Sequence, residues 1–151
     1  MKYNLHRLLV IAAFLLHTSL LNGQNKISTT SDNYFTVENY YKIKWGYADE
    51  FIELWKKNHY PLLKKVQQSG EIISVKAEKP LLHSGEDTRW DFKVTIVWKN
   101  AELGVGKADP TLKYKSQLYP DLEKLNQDEQ TRFSLLIAHW DVMIVNIDLG
   151  T

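Results

Sequence analysis

His139 and Asp141 stand two residues apart in Ala138-His139-Trp140-Asp141-Val142, and an imidazole beside a carboxylate can act as an oriented proton acceptor. The carboxylate fixes the tautomer and raises the basicity of the ring, so that it can take a proton from a bound phenol or enol. The same residues also allow a purely structural account. A histidine at the C-terminal end of a helix is favoured by the helix dipole, Trp140 would fill core, and Asp141 would satisfy backbone groups at the turn into a strand. A second group is His59-Tyr60-Pro61. Proline inside a helix frees a carbonyl, and the imidazole and phenol there could either face a pocket beneath the helix or lie at its polar edge. His83 falls beside a turn and is expected in solvent.

The candidate catalytic residues are therefore His139, Asp141 and His59, and the candidate ligand contacts are Tyr60, Trp55, Trp90, Trp98 and Trp140. No metal site is expected, because cysteine is absent and no two histidines have the close spacing of a zinc motif. No cofactor is predicted, with haem left open. Gly104-Val105-Gly106-Lys107 lacks the full glycine spacing of a phosphate loop, and no strand feeds from it directly into a helix.

Hydrophobic periodicity supplies the elements that must position these groups. Phe35, Val37, Tyr41, Ile43 and Trp45 alternate with polar neighbours, which predicts a strand over 35–45. Apolar positions Phe51, Leu54, Trp55, Leu62 and Val66 near the 3.6-residue period predict a helix over 47–69, kinked or restarted around Pro61. Gly70 is a plausible left-handed cap. A second strand is expected over 71–77, with Pro80 demoting its far end, then a turn at Ser84-Gly85-Glu86-Asp87 and a third strand over 89–99. Residues 100–110 read as a loop or weak helical turn, and 111–119 as a short helix. Asn126 and Glu129 have the spacing of a capping box, so a helix is expected from about Gln127, with Phe133, Leu136, Ile137 and Trp140 as its apolar face and a last strand over 142–147.

The N-terminus stands apart from this pattern. Lys2 and Arg7 precede an apolar run from Leu8 to Leu21, which is too short to span a bilayer comfortably and gives way to Asn22-Gly23-Gln24-Asn25. It reads as a signal peptide over 1–23, cleaved near Gly23, followed by a flexible lead-in over 24–33 and one domain over 34–149. The expected location is periplasmic or secreted, with no membrane association after cleavage. Loss of the leader leaves 17 basic and 18 acidic residues, so no polyanion partner and no nucleic acid is implied. The mature chain keeps all five Trp and seven of the eight Tyr, an aromatic load suited to an apolar interface or cavity.

The order strand, helix, strand, strand, helix, strand predicts an α+β, ferredoxin-like βαββαβ fold: a four-stranded antiparallel sheet with helices on one face. Trp90, Phe92 and Trp98 suggest that the other face is also apolar and covered by a second copy, making a homodimer. In Tyr119-Pro120-Asp121 and Glu129-Gln130…Arg132-Phe133…His139-Trp140-Asp141-Val142, the chain resembles exported bacterial members of the dimeric α/β-barrel superfamily. That resemblance implies a cavity between sheet and helices but no single chemistry, since the superfamily includes antibiotic-biosynthesis and haem-degrading monooxygenases, muconolactone isomerases, chlorite dismutases and plant stress-responsive proteins. The expected function is binding of a small apolar or aromatic molecule. The alternatives are a cofactor-independent monooxygenase, isomerase or lyase with a histidine proton acceptor, and a structural dimer without ligand.

Overall fold

The computed structural model describes residues 34–106, 108–147 and 149–150; the expected signal peptide and lead-in lie outside the described residues. Strand β1 (Phe35–Ile43) stops two residues short of the expected end. Trp45 is 60% exposed and lies over the Arg89 guanidinium at 4.1 Å. That arginine is itself buried, bonded to Asp91 and to the carbonyl of Ile43, while Asp91 accepts the Ile43 N–H at 2.7 Å. The strand therefore ends in a side-chain clamp instead of continuing.

The helical segment restarts instead of merely bending. Helices α1 (Ala48–Asn58) and α2 (Tyr60–Gln68) meet at His59, with Pro61 in the first turn of α2, where a missing N–H forfeits no helical hydrogen bond. Gly70 closes α2 with φ +79°, the left-handed conformation its lack of a Cβ permits. Strand β2 (Ile72–Glu78), a 3₁₀ turn at Glu86–Thr88 and strand β3 (Phe92–Trp98) follow. Then come the short helices α3 (Ala101–Val105) and α4 (Leu112–Leu118).

The last third departs from the expected boundaries. Helix α5 spans Leu122–Ser134, capped by the Asp121 carboxylate accepting the Lys124 N–H, and strand β4 spans Leu136–Ile144. Asn126 and Glu129 lie inside the helix and are not its cap. Leu136, Ile137 and Trp140 belong to the strand, and the His139-Trp140-Asp141 triplet sits in mid-strand, so no helix terminus is available for His139 to cap.

The sheet order is β2-β3-β1-β4, antiparallel throughout. With helices between β1 and β2 and between β3 and β4, this is the ferredoxin-like arrangement. Val37, Tyr41 and Ile43 from β1 and Phe92, Val94, Ile96 and Trp98 from β3 face inward, packing with Phe51, Trp55, Leu63 and Val66 of α1 and α2 in one core. Helix α5 packs on α1. Pairing of β1 with β4 runs in step from Thr36↔Ile144 to Lys42↔Ala138, then shifts so that Ile43 opposes Leu136, leaving Ile137 as an extra residue.

The outer face corrects the expectation of a uniformly apolar surface. Because the side chains of a strand alternate, placing Phe92 and Trp98 inward turns Lys93, Thr95 and Val97 outward. The middle of the outer face is an ion-pair chain: Tyr40 donates to Glu38 at 2.6 Å, and Lys93 bridges Glu38 and Glu78 at 3.4 and 3.1 Å. Its apolar part is a stripe along β4, with Trp140 stacked on Tyr40 at 5.4 Å and Trp90 edge-on to the same ring at 5.8 Å.

Candidate functional site

Three ranks of inward residues cross β3, β1 and β4 in register: Ile96–Val37–Met143, Val94–Asn39–Asp141 and Phe92–Tyr41–His139. Phe92 and Tyr41 of the third rank pack beneath Phe51 of α1, and Phe92 also meets Trp55. Over the first two ranks lies a cavity of about 200 Å³ formed by Val37, Asn39, Ile96, Trp98, Asp141 and Met143 with Gly104 and Val105 of α3. Glycine at 104 is required by the close approach of α3, since a Cβ there would meet Phe35 at 2.6 Å and Trp98 at 2.9 Å. Asn100 caps α3 by accepting the Leu103 N–H at 3.0 Å.

Asp141 borders this cavity from β4, and His139 lies beside it, outside the cavity lining. As i and i+2 residues on one strand they share a face, and Nε2 of His139 lies 3.2 Å from Oδ1 of Asp141. The imidazole stacks on Tyr41 at 4.5 Å and 18°, with a third of its side chain exposed. Burial holds the Tyr41 phenol protonated, its pKa pushed up to about 12. The structure thus brings two of the expected residues together, through strand alternation and not through a helix-to-strand junction.

His59 sits at the α1–α2 corner, 5.8 Å from the Trp55 ring. Burial first, then the Arg132 guanidinium, lowers its pKa below the ordinary 6.5, so it is neutral at pH 7. Tyr60 stacks on Trp55 at 5.8 Å and is partly exposed. Among the described residues the buried Trp55 indole N–H has no hydrogen-bond partner of ordinary geometry. Arg132 on α5 pairs with Glu129 at 2.5 Å and lies over Phe51.

The proposed aromatic contacts divide between the two sides of the sheet. Trp98 walls the cavity and Trp55 belongs to the core, whereas Trp90 and Trp140 flank Tyr40 on the outer face and cannot line a cavity between sheet and helices. The reading by residue type missed Asn39, Met143 and Gly104. Asn39 had a signal: it is the one polar residue in the inward series Phe35, Val37, Asn39, Tyr41, Ile43. Among the described residues no group of three or more His, Asp or Glu could hold a metal ion.

No protein-family model matches this chain, and no curated protein matches it. Solved structures with a similar arrangement include a NIPSNAP family protein from Agrobacterium tumefaciens, 15% identical over 83% of this chain and 96% of that one, with a TM-score of 0.46. Another is a dimeric ferredoxin-like protein from an uncultured marine organism, 5% identical over 80% and 95%, TM-score 0.46. A third, provisionally named an antibiotic biosynthesis monooxygenase, comes from Bacteroides thetaiotaomicron and is 8% identical over 79% and 94%, TM-score 0.45. At such identities none transfers a residue role or a reaction to this chain.

Proposed function

We propose that this protein is exported and, as a homodimer, binds a small aromatic or apolar molecule in the cavity between α3 and the sheet. The observation that carries the reading is the cavity itself: five apolar walls from Val37, Ile96, Trp98, Val105 and Met143, and two polar groups, Asn39 and Asp141, at one end. A mostly apolar concavity with a few placed polar groups is how small-molecule sites are built, and about 200 Å³ is below the roughly 300–1,000 Å³ of drug-sized sites. It fits a body of about one ring. For the homodimer, the support is the apolar stripe of Trp140, Val142 and Ile144 together with Val145, Ile147 and Leu149, which are 79%, 80% and 91% exposed.

Native mass spectrometry of protein recovered from its own cell envelope tests the three parts together. The expected species has twice the mass of a chain starting near Gln24 and carries a small retained molecule. A monomer refutes the dimer, an intact N-terminus refutes cleavage, and failure of both native protein and added one-ring aromatics to show a bound mass leaves the structural dimer as the surviving account.

The contact of His139 with Asp141, itself a cavity residue, favours a second reading, cofactor-independent catalysis with His139 as proton acceptor and Asp141 as its orienter. His139→Ala then costs no more than about 1.5 kcal/mol, the loss of one stacked ring pair, while changing the handling of ligand. A larger loss of stability with unaltered ligand behaviour would assign His139 to structure alone.

A further inference from the structure

The polar end of the cavity presents acceptors only. Nδ2 of Asn39 donates to the carbonyl of Val94 at 3.0 Å and to that of Val37 at 3.5 Å. Turning the amide over would set its oxygen against carbonyl oxygens, so both hydrogens are committed to the backbone and Oδ1 is the atom left for the cavity. Asp141 contributes a carboxylate, which accepts and does not donate. Its Oδ1 faces His139 at 3.2 Å, and among the described residues Oδ2 has no protein partner. Away from that end Trp98 adds an indole N–H, and the remaining cavity residues contribute apolar side-chain surface or the α3 backbone.

We infer that the cavity selects a one-ring aromatic molecule bearing a hydrogen-bond donor, a hydroxyl or amino group, directed at Asp141 and Asn39 with the ring against Trp98 and Met143. The inference rests on the cavity being a binding site and adds the chemistry of the ligand's head. An acceptor-only end discriminates in two directions. A donor gains a charge-assisted hydrogen bond from the carboxylate, whereas an anionic head of the same shape meets like charge and a purely apolar one leaves the carboxylate less solvated without compensation.

Three probes with nearly one shape separate these cases: p-cresol, p-xylene and p-toluate. Met1 and Met143 are the only two methionines, so labelling with methyl-13C methionine places a reporter in the cavity wall. In a pocket without acceptors p-xylene would bind tighter than p-cresol, because a hydroxyl resists leaving water. Here the order is expected to reverse, with p-cresol shifting the Met143 methyl at a concentration about tenfold lower than p-xylene and p-toluate leaving it unmoved. Asp141→Leu should restore the apolar order; Asp141 is half exposed, so this variant folds. Titration with 4-methylbenzylamine separates an ammonium from a hydroxyl as the better donor, and tighter binding than p-xylene by either probe supports the inference. Should p-xylene bind as tightly as both donors, should p-toluate bind like p-cresol, or should Asp141→Leu leave the order unchanged, the donor inference fails while the cavity remains a binding site. If no probe moves the Met143 methyl, the binding reading fails and the inference goes with it.

Discussion

Gly104→Ala tests the cavity roof with a single methyl group. The added Cβ would sit 2.6 Å from Cδ1 of Phe35 and 2.9 Å from Cδ1 of Trp98, whereas non-bonded carbons rest at about 3.5–4.0 Å. The shortfall is about 1 Å against two ring atoms at once. Trp98 is boxed into the core and Phe35 is partly buried against it, so either the rings or α3 must give way. Overpacking of this kind costs about 1–3 kcal/mol. Against it stands the higher helix propensity of alanine, worth at most about 1 kcal/mol, and less in a helix of five residues. The expected net effect is a destabilisation of about 0.5–2 kcal/mol, read as a lower urea midpoint at unchanged m-value. The same variant should weaken p-cresol binding, since displacing α3 moves Val105 off the cavity wall. A variant more stable than the parent by the full propensity gain, with p-cresol affinity intact, would show that α3 does not press on the sheet as described.

Two further perturbations probe groups around the site. His59 has its pKa lowered by burial and then by Arg132, so below the ordinary value of 6.5 the unfolded chain takes up a proton that the folded one resists; stability is present above that pH and is lost as pH falls through it. His59→Phe should flatten the fall in urea midpoint between about pH 6.5 and 5, and an unchanged slope would exclude His59 as its source. Asp128 on α5 is held below the usual carboxylate range by Lys124 and Lys57 and also accepts from buried Asn58 at 3.3 Å. Asp128→Ala should cost about 1–3 kcal/mol, mainly by orphaning that amide, since the two lysines are more than half exposed and lose little. A loss that disappears at high salt would instead assign the effect to the ion pairs.

The fold was legible where alternation was clean. β3 carries apolar residues at every second position, β1 does so except at Asn39, and α1 and α2 keep the 3.6-residue period, so element order and topology followed from them. The last element was not, because Phe133, Leu136, Ile137 and Trp140 fit a helical face while Trp140, Val142 and Ile144 fit a strand; a short apolar run supports both periods. The helix is capped by Asp121, whereas Asn126 and Glu129 imitate a capping box from inside it. At the site, His139 and Asp141 could be picked out by type, but their partners in the cavity are ordinary residues. Val37, Ile96 and Gly104 acquire their role only when three strands and α3 converge, which no local pattern encodes.

The extra residue in β4 decides which side chains meet the cavity. With an unbroken register Leu136, inward opposite Ile43, would be followed inward by Ala138, Trp140, Val142 and Ile144, an all-apolar series ready to join the core. Ile137 interrupts the pairing, and everything beyond it changes sides. His139, Asp141 and Met143 turn to the inner face, the last two toward α3, and Trp140, Val142 and Ile144 turn out. One inserted position thus exchanges a greasy inner wall for a polar one and delivers the discarded hydrophobic set to the opposite surface, so that the cavity's chemistry and the stripe available to a second copy are two results of the same irregularity.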